Sequence, residues 1–149
     1  MANSASALAT NSICGSAGEE EYVPAISDGA LLPGAGCAII TATGVVDGTG
    51  AGGVEQFVGL LEKSYNKTID EFQVAGKPVD LIKPRYNKRY IVRIDSANTA
   101  AGIAGKPLEW SATSEGELMD AATLDDKRVA TLDQVYNGTD DFAWVRWGA

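Results

Sequence analysis

Short apolar or alternating runs, separated by clusters of Gly, Asn and Asp, organise the chain from residue 107 onward: PLEW at 107–110, GEL at 116–118, RVATLDQV at 128–135 and FAWVRW at 142–147. Runs of strand length with turn residues between them, roughly every 8 to 12 residues, are what a small antiparallel barrel or sandwich needs. Upstream, residues 37–43 read as a strand bounded by Gly36 and Gly44, and residues 56–61 as another, with a polar stretch over 62–71. Residues 72–75 and 79–82 flank Gly76-Lys77-Pro78, a turn signal. Residues 89–94 (RYIVRI) give the clearest strand, with Tyr90, Val92 and Ile94 on one face and Arg93 on the other. Residues 102–107 form a further Gly-Pro turn. Only residues 118–124 have helical character, and that run is too short to anchor a helical domain. The pattern predicts an all-β chain, built as a small antiparallel β-barrel or a sandwich.

Two units follow from the same pattern: an N-terminal arm over residues 1–21 and a β-barrel-like domain over 22–149. Residues 1–18 contain no charge and are mostly Ala, Ser, Asn, Thr and Gly, so they bury too little apolar surface to offset their ordering entropy. The arm is expected to be flexible in the free protein, and either to order against a neighbouring subunit or to remain an idle tail. Glu19-Glu20-Glu21 marks the boundary, with the folded domain starting near Tyr22 and a turn-rich stretch over 26–33. Residues 47–53 (DGTGAGG) lack the Gly-Lys-Ser/Thr ending of a P-loop and the spacing of Gly-x-Gly-x-x-Gly before a helix. They read as a flexible hairpin or exposed loop.

Composition narrows the chemistry. The 149 residues are 45% hydrophobic and 21% charged, which suits a folded domain with its own core, and the net charge is −8. An acidic chain is ill suited to general binding of the phosphate backbone, so nucleic acid is an unexpected partner. There is no histidine, which removes Ser–His–Asp triads, Cys–His pairs and most zinc sites. The adjacent acids Asp125-Asp126 and Asp140-Asp141 point apart on a strand and form no calcium-loop motif, so they read as solvated turn acids. No catalytic residue, metal site or cofactor is expected.

Cys14 and Cys37 leave two readings open. A disulfide would close a loop worth about 3 kcal/mol in the chain-entropy model. Alternatively both are reduced, with Cys37 a small apolar strand residue. No secretory signal and no apolar run long enough to span a membrane are recognisable, and the sequons at Asn66 and Asn137 read as turns.

Six of the twelve cations, Lys77, Lys83, Arg85, Lys88, Arg89 and Arg93, fall within one 17-residue window, interleaved with Tyr86 and Tyr90. This segment reads as a contact patch for an acidic protein surface, as an oligonucleotide groove with stacking tyrosines, or as a solvated rim. Acids concentrate toward the C-terminus, a polarity that suits subunits meeting basic end to acidic end. Trp144 and Trp147, three apart, cannot share a face of a regular strand. One belongs to the core, and the other covers an edge or an interface. The candidate interface residues are Arg85, Tyr86, Lys88, Arg89 and Trp147.

The chain resembles the head decoration (capsid cement) proteins of tailed bacteriophages. The likeness lies in DGALLPG at 28–34, KPVDLI at 77–82, GKPL at 105–108, GEL at 116–118, VATL at 129–132 and the terminal strand at 142–147. It covers about 100 residues through spacing and turn chemistry; the 47–53 loop and the long uncharged arm match no family position. The resemblance implies a small β-barrel or β-tulip-like domain and a non-enzymatic virion protein, made in the host cytoplasm and bound to the outer surface of the assembled head. It also implies a homotrimer that bridges major capsid protein subunits. The competing reading is a β-barrel module that binds a ligand or carbohydrate through exposed aromatics.

Overall fold

The computed structural model describes residues 21–29, 31–39, 44–49, 57–62, 72, 74–121 and 128–148. The 1–20 part of the expected arm, Cys14, the sequon at Asn66 and the Asp125-Asp126 pair lie outside the described residues. Within them the chain is nearly all β, and its first half builds one sheet while its second half builds the other. The first sheet contains β1 (Glu21–Ile26), β2 (Gly36–Ile39), β3 (Val46–Gly48), β4 (Phe57–Leu61) and β5 (Pro78–Lys83), in the spatial order β1-β5-β4-β2-β3. The second contains β6 (Arg89–Arg93), β7 (Pro107–Trp110), β8 (Leu118–Asp120), β9 (Ala130–Leu132) and β10 (Phe142–Trp147), in the order β6-β10-β9-β7-β8. Every ladder is antiparallel. A single 3-10 turn at Ser96–Asn98 is the one helical element described.

Of the three all-β architectures expected, the structure is sandwich-like, because neither sheet closes on itself. The edges of the second sheet do approach at one point. Ile94 and Leu118 form an isolated parallel bridge, and the Asp95 N–H donates to the Leu118 carbonyl at 2.8 Å. One bridge is not a ladder, and the sheet stays open. The two sheets are also tied through Gly34, whose N–H donates to Leu61 of β4 and whose carbonyl accepts from Arg93 of β6.

Register explains the core. Tyr90 opposes Val145, Val92 opposes Ala143, Leu132 opposes Val145 and Trp110 opposes Leu118, so the apolar alternation of five strands falls on one face. That face packs against Leu60 and Ile82, register partners on the first sheet. Their chain neighbours Leu61 and Leu81 point the other way, into a second cluster with Leu31, Cys37 and Val79. The first sheet therefore buries apolar residues on both faces.

Several sequence expectations shift. The first strand begins at Glu21, one residue before the expected domain start. Asp47 and Gly48, the first two residues of the expected hairpin or loop, pair with β2 as part of β3 and start the return arm of a hairpin. Pro78 begins β5 instead of ending a turn, which its missing N–H permits at a first strand position. Phe72 and Val74 lie in no strand and are exposed. The stretch with helical character opens as strand β8, because its Leu118 side chain is claimed by the core opposite Trp110.

Candidate functional site

Residues 84–88 carry the chain from β5 in one sheet to β6 in the other, and the expected interface residues cluster there. The Lys88 N–H donates to the Arg85 carbonyl at 3.3 Å, and Asn87 takes a left-handed φ of 63°. The short polar side chain of Asn tolerates that region better than most. The turn is fastened to the end of β10. Asn87 N–H donates to the Trp147 carbonyl at 2.9 Å, Trp147 N–H to the Lys88 carbonyl at 2.9 Å, and Arg146 Nη1 to the Asn87 carbonyl at 2.8 Å. Arg85 N–H donates to the Tyr90 hydroxyl at 2.9 Å. The Tyr86 ring lies over Gly148, where a Cβ would come within 2.7 Å of it, yet Tyr86 remains 78% exposed.

The cationic window does not stay together. Lys77 sits at the far end of β5, roughly 20 Å of strand away from Lys83. Arg93 is 4% exposed: its Nε donates to the Pro33 carbonyl at 2.9 Å and its guanidinium lies 4.3 Å from the centre of the Phe142 ring. Lys83, Arg85, Lys88 and Arg89 remain at the turn, joined by Arg146, which the sequence window did not contain. Its signal was the alternation Trp144, Arg146 on one face of β10, which register sets opposite Ile91 and Arg89.

Arg89 is committed within the fold. Its guanidinium lies 4.3 Å above the Trp144 ring and its Nε pairs with Asp133 Oδ2, the same oxygen that Arg146 Nη2 reaches at 3.1 Å. Asp133 thus screens two arginines that the β6–β10 register places directly opposite each other. The Lys83–Glu21 pair, 3.9 Å apart with both side chains well exposed, holds nothing in place.

The tryptophans divide between faces as their spacing requires. Trp147 points inward, stacked on Phe57 at 5.5 Å and 6.0 Å from Trp110, and closes the core at the turn end. Trp144 takes the other face of β10, half-buried beneath Arg89. Trp147 therefore supports the turn from beneath through its backbone and is half-buried against the core. Trp110 is 7% exposed, so none of the three indoles presents the open platform that sugar recognition by exposed aromatics would use.

At the opposite end of the second sheet lies a polar cluster. Asp95, 4% exposed, accepts from Ser111 Oγ at 2.5 Å, Asn98 Nδ2 at 2.8 Å and Thr113 Oγ1 at 3.2 Å. Burial would raise its carboxyl, but these bonds and a backbone N–H from Ala97 outweigh it and hold the group below the usual carboxylate range. Glu117 nearby is pushed the other way, up to about 7, by burial. Lys106 Nζ pairs with Asp120 Oδ1 at 2.7 Å. Among the described residues no group of three His, Cys, Asp or Glu side chains is placed to hold a metal ion, and no helix is long and apolar enough to cross a membrane.

Cys37 is a free thiol with no exposed surface, pushed up to about 12 by burial with help from Asp47. It belongs to the second core cluster. Compared with known families and curated proteins, the sequence matches no family model and no curated relative.

Proposed function

We propose that this chain is a non-enzymatic structural protein that attaches to an acidic protein surface through the Arg85–Lys88 turn. The setting proposed for it is the outside of an assembled phage head, where it acts as a decoration protein on the major capsid protein. The carrying observation is the fastening of that turn: three hydrogen bonds to the end of β10 hold it before any partner arrives. Pre-ordering of this kind lowers the entropy lost on binding. The polarity of charge adds direction, because a molecule of net charge −8 with a local basic end meets an acidic surface in one orientation. Nucleic acid is a poorer fit, since Tyr86 is the lone exposed ring on the turn and stacking along a strand uses several. The resemblance described above supplies the capsid setting, including the homotrimer.

Arg85→Glu with Lys88→Glu tests this reading without touching the Arg89–Asp133–Arg146 group. Co-sedimentation with assembled heads at low salt should fall by about tenfold or more, and the melting temperature should hold. Head binding at the wild-type level would overturn it.

A further inference from the structure

The turn at one end of the second sheet has a counterpart at the other. Strand β10 runs from Phe142, at the end bearing the polar cluster, to Trp147 at the turn end, so its length separates the two. At the far end, Gly102 and Tyr136 form an isolated antiparallel bridge, with both backbone hydrogen bonds made at 3.0 and 2.8 Å. Ile103 follows one partner and Val135 precedes the other, so the bridge brings their two stretches of backbone together. They are 72% and 76% exposed and, with Tyr86, are the most exposed large apolar side chains described.

The segment carrying Ile103 has no charged residue from Ser96 to Gly105. Beside it, Asp140 and Asp141 stand in the loop beyond Tyr136, while Lys106, whose side chain runs along Gly102, is neutralised by Asp120 at 2.7 Å. That loop is held in shape. Thr139 and Asp140 N–H groups donate to Asn137 Oδ1 at 2.9 and 3.0 Å, and the Tyr136 hydroxyl donates to the Asp140 carbonyl at 2.7 Å. An exposed apolar pair with an acidic rim is the complement of an exposed aromatic ring with a basic rim.

From this we infer that the acidic surface recognised by the turn includes the far end of a second copy of this chain. Tyr86 of one molecule seats beside Ile103 and Val135 of the next, and Arg85 and Lys88 face Asp140 and Asp141. The inference rests on the reading of the turn as a contact site for an acidic protein surface. Complementary charge offsets the repulsion between two molecules of net charge −8, which side-by-side contact through any acidic face would not. The contact is heterologous: it joins unlike ends, so a bound pair still offers one free end of each kind.

Two variants decide it, one per end. The first is Arg85→Glu with Lys88→Glu, and the second is Val135→Lys with Asp140→Lys. In sedimentation velocity at low salt, the wild-type mass should rise with concentration to at least twice that of a monomer, and each variant alone should stay monomeric. An equimolar mixture of the wild type's two single-ended derivatives is more telling. In each, only one end is disabled in the apolar sense: Tyr86→Ser keeps an intact far end, and Ile103→Ser keeps an intact turn. Their mixture should stop at dimers, because each supplies one working end. Roughly tenfold weaker association on raising salt from low to physiological levels is also expected. Wild-type association by either charge variant, or a monomeric mixture, would overturn the inference, as would a wild type that is monomeric at every concentration. The Val135→Lys, Asp140→Lys variant should still bind heads, so loss of self-association with retained attachment separates this contact from the capsid reading. Unchanged melting of the serine variants guards against misfolding.

Discussion

Burial pushes the Glu117 carboxyl up to about 7 against the pull of Arg93; Asp95 and Asp141 add to the rise, and a hydrogen bond with Ser114 opposes it. A carboxyl whose folded pKa is raised contributes stability that is complete below its unfolded value, near 4.5. That contribution is lost as pH climbs toward 7, because the folded state resists the charge that the unfolded chain accepts. Glu117→Gln removes the penalty. The variant should therefore be more stable than wild type at pH 8 by about 1–3 kcal/mol, with the gap closing by pH 4.5, as read from urea unfolding at several pH values. A gap that is independent of pH would show that the side chain's shape, not its charge, sets the cost. Asp95 has the opposite sense. Its lowered carboxyl contributes stability above 3.8 that is lost as pH falls through its folded value. The two neighbouring acids thus narrow the stable range from both sides.

At the scale of elements, register decides what each side chain meets. Arg89 on β6 faces Arg146 on β10, and two like charges in directly opposed positions destabilise a ladder. Asp133, just beyond β9, converts the clash into a three-strand clasp by binding both. Asp133→Asn keeps the size and removes the charge. It should cost about 1 kcal/mol at low ionic strength, with most of the difference gone at high salt, since half-exposed pairs are screened. Equal stability of the two proteins at low salt would mean that the clasp is ornamental. The same clasp bears on the turn: reversing Arg89 would disturb the fold along with any contact, whereas Arg85 and Lys88 stand beyond β6.

For the whole molecule, Gly36 on β2 is a point where the two sheets leave no room for a side chain. A Cβ there would lie inside the Trp110 ring of β7, and the Gly36 N–H and carbonyl are tied to Gly116 and Thr49. The strand cannot retreat without breaking those bonds, and Trp110 cannot retreat without disturbing Phe57 and Trp147. Gly36→Ala should therefore cost about 3 kcal/mol, the upper range for overpacking, and a thermal melt should show it as a large fall in the transition temperature. A melt within a degree or two of wild type would mean that the sheets can separate locally. The packing that Gly36 permits also closes the core beneath β10, so both ends of the second sheet depend on it.

The sequence by itself determined what local alternation can determine. It placed most of the strands, put Tyr90, Val92 and Ile94 on one face, separated Trp144 from Trp147, and located the cationic turn near Arg85. Period-2 alternation fixes these because side-chain direction follows from the strand's own backbone. It does not say what covers each face. Arg89 and Arg93 share a face of β6, yet one reaches solvent at the turn while the other is sealed beneath Pro33, a residue 60 positions away in the chain. No local signal records that contact. Nor could spacing show that Arg146 joins the turn, that Lys77 leaves it by the length of β5, or that Gly102 and Tyr136 pair beside Ile103 and Val135. Each depends on pairing between distant strands, and pairing is chosen by the whole core at once. The tertiary structure alone turned a run of cations and a scatter of acids into two opposed ends.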